Sequence, residues 1–433
     1  MFGLTTRRRC NVVAAALAVS GSGLGLAALV GVTGTAPTAS ADPSYAVGLD
    51  TVVGVGSDVS QDLFDALSGA SPDPGLGDAE APVHYYTPLQ SSAATGDYTI
   101  ESFDANEPGE ATTYANGIIT TLGGPLFDRP NSSTNGIAAL EDEVNGTDWS
   151  QSGGVTTSAV DISGQIQFTR SARLWNTDTS GLLTFIPFAR DGLGILYYED
   201  GNSALTSSAL TNTELQDIYS PGIGNGTYTI NGVTVYGCLP FSGTTPRSNL
   251  EKALGLSSST TGYSGCNNLV QNSGNSFSSF ANGLGTNDDA VVPISVGSWI
   301  GQANGLAVDR ISDVLGNSDY GLASINDNGT VLGQPTTGTA PHLASNTTYY
   351  QDQDGTSGGG GWGYDLYTVV PTSDVSGRYT NAIIESLFAG TSSELCSTAA
   401  QTEMNDFGFD SLQSDETGGY TCGDTGAGLQ GDS

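Results

Sequence analysis

Apolar and polar positions along the chain follow two different periods, and the change of period predicts strands that lead into helices. Residues 52–67 begin with β-branched residues, pass through Gly56, Ser57 and Asp58, and then place apolar residues at helical spacing. This pattern predicts a strand, a glycine turn and a helix whose N-cap is Ser57 or Asp58. The same turn suits an anion site, because the first N–H groups of a helix have no intrahelical partner.

The pattern recurs at residues 127–140 and 241–255, where a hydroxyl-rich turn again opens into an apolar-periodic segment. Each turn alone suits the capping of a helix. Together, the three turns offer N–H and O–H donors to one oxyanion. The candidate contacts in the second and third turns are Ser132, Ser133 and Thr134, and Ser242, Gly243 and Thr244.

An arginine-bearing turn lies between the second and third hydroxyl turns. Residues 164–168 alternate like a strand, and the chain then turns through Arg170, Ser171 and Arg173. Arginines are rare in this chain, and their position beside glycine and hydroxyl clusters favours anion capture. Arg170, Ser171 and Arg173 are therefore candidate ligand-binding residues.

Two further patterns complete the alternation of strands and helices. Residues 182–198 predict a buried strand, a turn at Asp191 and Gly192, and a second strand. Thr211 and Glu214 fit a capping box at the start of a helix. Alternating strands and helices predict an α/β architecture, in which ligands lie beyond strand ends at helix N-termini.

The first 41 residues have the features of an export signal. Three arginines at positions 7–9 precede an apolar stretch over residues 12–32, and residues 39–41 provide a cleavage site after Ala41. Both general secretion and twin-arginine export are open. The protein is predicted to be secreted or to lie in the cell-wall space, without membrane insertion, because no later apolar run is long enough to span a membrane.

Length and cysteine content indicate the organisation of the exported part. Removal of 41 residues from 433 leaves 392, more than one hydrophobic core usually organises, which predicts two lobes or domains. Four cysteines remain, and an even number in an exported chain indicates disulfides. They fall into two sequence-local pairs, which favours the pairings Cys238–Cys266 and Cys396–Cys422.

Charge and the supply of reactive side chains exclude several functional classes. The exported part has 8 basic and 45 acidic residues, a formal charge of −37, so nucleic acid is a poor partner. Only His84 and His342 could act as general bases, and neither lies in a motif. A G-x-S-x-G string at residues 355–359 lies inside a glycine-rich loop, away from any strand-to-helix turn. No zinc-ligand spacing occurs, so no metal site is predicted. The chain is also predicted to be a monomer without enzymatic activity or cofactor.

The order of these motifs resembles the phosphate-binding branch of the type 2 periplasmic solute-binding proteins, in an actinobacterial-like form. The resemblance spans roughly residues 48–305, and its most specific parts are IPFARDGLGILYY, LTNTELQDIYS and SGTT. It implies two α/β lobes joined by crossover strands, which close on an anion. The implied boundaries are 42–188 for the first part of lobe I, 189–292 for lobe II, and 293–433 for the return to lobe I with the C-terminal region.

The resemblance also implies a set of ligand contacts. These are Ser57 with its neighbouring backbone, Ser132, Ser133, Ser171, Ser242, Gly243 and Thr244. The hydroxyl and arginine turns add Gly56, Asp58, Thr134, Arg170 and Arg173.

Two departures from the family pattern concern the choice of anion and the cellular role. Thr169 and Arg170 stand where family members usually have an aspartate that accepts the proton of hydrogen phosphate. Loss of this acceptor weakens discrimination against sulfate, unless Asp58 or Asp191 replaces it. The signal also lacks the lipid tether of relatives that stand beside a permease.

Two functional hypotheses follow. The first is an exported protein that captures a tetrahedral oxyanion, phosphate above all and sulfate as the alternative, for an ABC-type importer and its permease. The second is an extracellular surface or interaction protein on the same fold that has lost or changed its ligand.

Overall fold

The computed structural model describes most of the chain after the predicted signal. The described residues are 51–69, 88–93, 98–105, 117–152, 154, 156, 158–175, 181–256, 260–269, 275–307, 317–351, 362–412, 420–426 and 428–431. The export signal, its cleavage site, His84 and the glycine-rich loop lie outside the described residues. No helix among the described residues is long and apolar enough to cross a bilayer.

The helices and strands alternate along the first three hundred residues and become shorter towards the C-terminus. The helices are α1 Gln61–Leu67, α2 Ser133–Asn145, α3 Asn212–Tyr219, α4 Thr245–Ala253, α5 Asn275–Ala281, α6 Val296–Ala303, α7 Thr347–Tyr350, α8 Thr372–Val375, α9 Ala382–Phe388 and α10 Thr398–Asp406, with a 3-10 turn at Glu394–Cys396. The strands are β1 Thr51–Gly56, β2 Thr99–Ser102, β3 Gly117–Ile118, β4 Phe127–Asp128, β5 Asp148–Trp149, β6 Val160–Asp161, β7 Phe168–Ser171, β8 Leu183–Tyr198, β9 Leu210–Thr211, β10 Thr227–Ile230, β11 Val233–Gly237, β12 Leu239–Pro240, β13 Asn267–Leu269, β14 Asp288–Ser295, β15 Tyr320–Leu322, β16 Ile325–Asp327, β17 Thr330–Gly333, β18 Thr336–Thr337, β19 Ala344–Ser345, β20 Gly363–Pro371, β21 Asp410–Ser411 and β22 Gln430–Gly431.

A large mixed sheet organises the molecule. Its order is β10-β11-β14-β8-β20-β7-β1-β2, and β15, β21 and β22 also pair with β8. Strand β1 is parallel to both β2 and β7, whereas β8 is antiparallel to β14 and β20. The predicted α/β class is confirmed. The predicted capping box is also confirmed, because Thr211 accepts from the Glu214 N–H while the Glu214 carboxylate accepts from the Thr211 N–H.

Strand β8 corrects the expected turn at Asp191 and Gly192. It runs without interruption from Leu183 to Tyr198, and its first fourteen residues are buried. Strand β20 pairs across the expected turn, with Gly363 opposite Gly192. A side chain at Gly192 would lie 2.6 Å from the ring of Tyr350, so glycine is needed there for close packing and not for a turn.

The core residues form separate clusters that meet along β8. One cluster gathers residues of β8 from Leu193 onward with β11, β14, α3, α4 and parts of residues 296–362. Two others gather β1, β7, the first half of β8 and the C-terminal helices. Both predicted disulfides are present, Cys238–Cys266 in the first cluster and Cys396–Cys422 beside the helices α9 and α10. The predicted lobe boundaries stay a prediction.

Candidate functional site

The first hydroxyl turn lies at the carboxyl ends of the parallel strands β1 and β7. The prediction that Ser57 or Asp58 is the N-cap is wrong: α1 begins at Gln61 after Ser60. Residues 57–60 form a turn of their own first, in which the Val59 N–H donates to Ser57 Oγ over 3.3 Å. Ser57 and Asp58 are buried all the same, which keeps them beside the strand ends.

Two glycines let the first and second turns approach each other. A Cβ atom at Gly136, in the first part of α2, would lie 2.7 Å from the Cα atom of Gly56 and 2.1 Å from Thr169 Oγ1. Gly56 itself has a φ of 107°, which L side chains rarely adopt. The start of α2 therefore packs directly against the ends of β1 and β7, with Thr169 Oγ1 beside both glycines.

The second and third turns are joined through Ser133. Its Oγ accepts from the Ala172 N–H over 3.0 Å and lies 3.4 Å from Thr245 Oγ1 at the start of α4. Ser132 is the N-cap of α2 and accepts from the Asn135 N–H. The N-termini of α2 and α4 therefore converge, and both helices direct the positive ends of their dipoles to the same place.

The third hydroxyl turn, residues 242–245, is only partly buried. Thr244 is the N-cap of α4, yet its side chain makes no capping hydrogen bond, and its Oγ1 is buried without a partner. The predicted contacts Ser242 and Gly243 are exposed in the turn that precedes it. Thr245, which the predicted set omits, makes the contact with Ser133. Its position in the hydroxyl-rich SGTT turn is the signal that could have identified it.

Arg170 and Arg173 have different surroundings. Arg170 is fully buried and donates to the Ser57 carbonyl over 3.0 Å, to Ser102 Oγ over 2.6 Å and to the Phe103 carbonyl over 2.8 Å. It thereby ties together the ends of β1, β2 and β7. Arg173 donates to Thr134 Oγ1 in the first turn of α2. Burial lowers the pKa of Arg173 to about 10, so it stays a cation at neutral pH.

Ser171 fixes the backbone of this arginine turn. Its Oγ donates to the Arg173 carbonyl over 2.7 Å and accepts from the Arg173 N–H over 3.3 Å. The guanidinium carbon of Arg173 lies 3.6 Å from the centre of the Trp175 ring. Its Nε is buried and has no hydrogen-bond partner.

The neighbouring arginines are engaged in structural contacts. Arg129 donates to the Asp104 carbonyl over 2.6 Å, and Arg190 pairs with Asp365 over 3.0 Å. Arg247 donates to the Pro240 carbonyl over 3.1 Å. Among the arginines of the described part of the chain, Arg173 is thus the one that lies at the junction of α2 and α4 and has an unpaired buried nitrogen.

Two carboxylates, Asp191 and Asp58, are the candidate acceptors for the proton of hydrogen phosphate. Their surroundings differ. Asp191 accepts from the N–H groups of Gly192 and Gly297 and from the hydroxyls of Ser295 and Tyr364. Burial raises the pKa of Asp191 to about 6 although these four bonds oppose the shift. Because its four bonds hold it at the start of α6, Asp191 has a structural role, whereas Asp58 lies in the first hydroxyl turn itself.

Among the described residues, four buried polar atoms in or next to the three hydroxyl turns and the arginine turn have no hydrogen-bond partner. They are Ser60 Oγ, Arg173 Nε, Trp175 Nε1 and Thr244 Oγ1. Buried polar groups are usually hydrogen-bonded, so these four atoms are candidate contacts for an acceptor from outside the protein. In the described part of the chain no three metal-ligating side chains come together, and His342 is exposed.

Comparison with solved structures finds similar proteins, two of which are described as phosphate-binding or phosphate-transport proteins. A possible phosphate binding protein from Planctomyces limnophilus DSM 3776 is 9% identical, with a TM-score of 0.36 over 83% of this chain and 92% of its own. A putative phosphate ABC transporter substrate-binding protein from Clostridium perfringens is 12% identical, with a TM-score of 0.41 over 84% of this chain and 99% of its own. PstS from Borrelia burgdorferi is 11% identical, with a TM-score of 0.37 over 83% of this chain and 98% of its own. No protein-family model and no curated protein matches the chain. Similarity at this level carries no functional argument, so the function proposed below rests on the contacts of the three turns.

Proposed function

We propose that this protein binds a tetrahedral oxyanion at the junction of residues 57–60, 132–134 and 244–245. The observation that carries the proposal is the contact between Ser133 and Thr245, which joins two helix N-termini next to the unpaired Nε of Arg173. Helix N-termini provide free N–H donors and a positive dipole end, and a guanidinium adds a full charge. An oxyanion supplies the acceptors that the protein lacks at this place.

Phosphate and sulfate are the anions that fit this set of donors. Hydroxyls of serine and threonine donate to either anion, and Arg173 neutralises part of its charge. Asp58, a buried carboxylate in the first hydroxyl turn, is the candidate acceptor for the proton of hydrogen phosphate. We therefore favour phosphate, with sulfate as the alternative, and an exported protein that delivers the anion to an ABC-type permease.

A second candidate, an extracellular interaction protein, has one observation of its own. The uncharged segment 117–127 exposes Ile119, Leu122 and Leu126 at 43%, 86% and 53% of their surfaces. Gln165 fixes this segment, because its Oε1 accepts from the hydroxyls of Thr120 and Thr121. Exposed apolar side chains on an ordered segment are typical of a protein contact.

Calorimetric titration of the exported chain with phosphate and with sulfate tests the proposal. Saturable binding is expected, and Thr245→Val should weaken it about tenfold, since the lost hydroxyl also supports Ser133. Ser242→Ala is the matched control, because Ser242 is an exposed hydroxyl of the same turn and should keep the wild-type affinity. Absence of heat with both anions would reject anion binding and favour the interaction protein.

A further inference from the structure

Trp175 places an unpaired N–H donor beside the candidate anion site. Its indole Nε1 is buried and has no hydrogen-bond partner among the residues that the structure describes. Buried indole N–H groups usually find an acceptor, as Trp149 does by donating to the Asp128 carbonyl over 2.8 Å. An unpaired indole N–H next to an unpaired guanidinium nitrogen therefore requires an explanation.

The position of Trp175 relative to the site is fixed by Arg173. The Arg173 guanidinium donates to Thr134 Oγ1 in the first turn of α2, and its central carbon lies 3.6 Å from the centre of the Trp175 ring. The contact of a cation with the face of an indole is favourable in itself. The two unpaired nitrogens thus belong to two side chains in contact next to the first turn of α2.

We propose that Trp175 is a ligand-binding residue, whose indole N–H donates to the bound oxyanion next to Arg173 Nε. This inference rests on the proposed function and extends it by one specificity-determining residue. Arg173 and Trp175 are donors only and cannot accept a proton. The wall that they form accordingly binds an unprotonated oxygen, so it favours sulfate and dianionic phosphate over a protonated monoanion.

The turn after β7 divides its arginines between two roles. Arg170 donates to the Ser57 and Phe103 carbonyls at the strand ends. Arg173 and Trp175, further along the turn, carry the unpaired nitrogens. A site with fewer acceptors and more donors at this side should bind phosphate more tightly as the pH rises through the second phosphate ionisation, near 6 for phosphate esters.

The test is the affinity of Trp175→Phe for sulfate, measured by calorimetry at neutral pH. Phenylalanine keeps an aromatic face for Arg173 but lacks the N–H, and we expect affinity to fall about tenfold. Trp362→Phe is the matched control, because Trp362 also has a buried unpaired Nε1 but packs against Tyr349 in the other core cluster. It should bind like the wild type.

A second measurement needs no variant at Trp175 to be folded. In wild-type protein labelled with nitrogen-15 at tryptophan, sulfate should shift the indole N–H resonance of Trp175 more than those of Trp149 and Trp362. Equal affinity in Trp175→Phe, or an unmoved Trp175 resonance at saturating sulfate, would overturn the inference and leave the proposed function standing. If the wild-type protein bound neither anion, both this inference and the proposed function would be rejected.

Discussion

Arg170 and Arg173 lie three positions apart in the sequence, and only their distant neighbours distinguish them. Arg170 points to the ends of strands β1 and β2, whose carbonyls and hydroxyl accept all three of its observed bonds. Arg173 meets Thr134 and the ring of Trp175 instead. A buried guanidinium that satisfies strand-end carbonyls stabilises the fold, whereas one with a free nitrogen can bind a ligand. From the sequence alone, both arginines are candidate ligand-binding residues.

At the same scale, Asp191→Asn should reduce stability more at about pH 4.5 than at about pH 7.5. The folded-state pKa of Asp191 is raised to about 6 by burial, above its ordinary value of 3.8. Such a carboxyl contributes stability at low pH, and the contribution is lost as the pH rises through about 6. Over this interval the loss is about 2 kcal/mol. Urea unfolding of wild-type and variant proteins at both pH values measures it.

The control for this comparison is the exposed residue Asp148, changed to asparagine in the same way. Its substitution should have the same effect on stability at both pH values. An Asp191→Asn cost that is equal at the two pH values would show that the buried carboxyl does not titrate in this range.

At the scale of elements, the site depends on how closely α2 approaches the strand ends. Gly56 and Gly136 face each other without side chains, and Ser133 in the first turn of α2 contacts both Ala172 and Thr245. A shift of α2 by a fraction of an ångström would therefore change the distances to α4 and to the arginine turn together. Helix capping and the proposed anion binding would use the same N-terminus, so the local sequence pattern is compatible with both.

Gly136→Ala should destabilise the protein and weaken anion binding. The new Cβ would lie 2.1 Å from Thr169 Oγ1 and 2.7 Å from the Gly56 Cα, and the backbone contact cannot be relieved by a side-chain rotation. The expected cost of such overpacking is about 3 kcal/mol. Gly426→Ala is the control, because its nearest contact is a side-chain oxygen of Asp424 at 3.1 Å. Thermal unfolding and calorimetric titration of both variants decide the prediction, and an unchanged melting temperature in Gly136→Ala would contradict it.

At the scale of the whole molecule, strand β8 connects the core clusters, and the two disulfides lie in different clusters. Residues Ile186, Phe188 and Ala189 of β8 pack with the C-terminal helices, and residues from Leu193 onward pack with α3, α4 and β14. Asp191 lies between these two halves and links β8 to the start of α6 and to β20. Cys238 directly precedes β12 and the third hydroxyl turn, whereas Cys396–Cys422 lies beside α10.

Removal of each disulfide should therefore affect binding differently. The loops that the two bridges close are of similar length, with sequence separations of 28 and 26, so a double alanine variant of either pair should lose about 3 kcal/mol of stability. Only loss of Cys238–Cys266 should also weaken anion binding, because that bridge holds the chain that leads into Thr244 and Thr245. Equal affinity in the two variants, measured by calorimetry where both are folded, would contradict this expectation.

The α/β class, the capping box at Thr211, both disulfide pairings and the helices that follow the second and third turns were predictable from the sequence. These features depend on local periodicity, on capping chemistry and on cysteine spacing, which neighbouring residues determine. The N-cap of α1 and the continuity of β8 were predicted wrongly. Ser57 bonds within its own turn, and β20, more than 170 positions later in the chain, pairs across the expected turn at Gly192.

The tertiary structure alone decided which of the candidate residues meet. Hydroxyls in three turns are equivalent in the sequence, but the structure brings Ser133 next to Thr245 at the starts of two helices, while Ser242 and Gly243 stay exposed. Arg170 became a structural clamp and Trp175 a neighbour of the site for the same reason. Contacts between residues 39 to 113 positions apart depend on how strands pair and helices pack, and no local pattern in the chain encodes that arrangement.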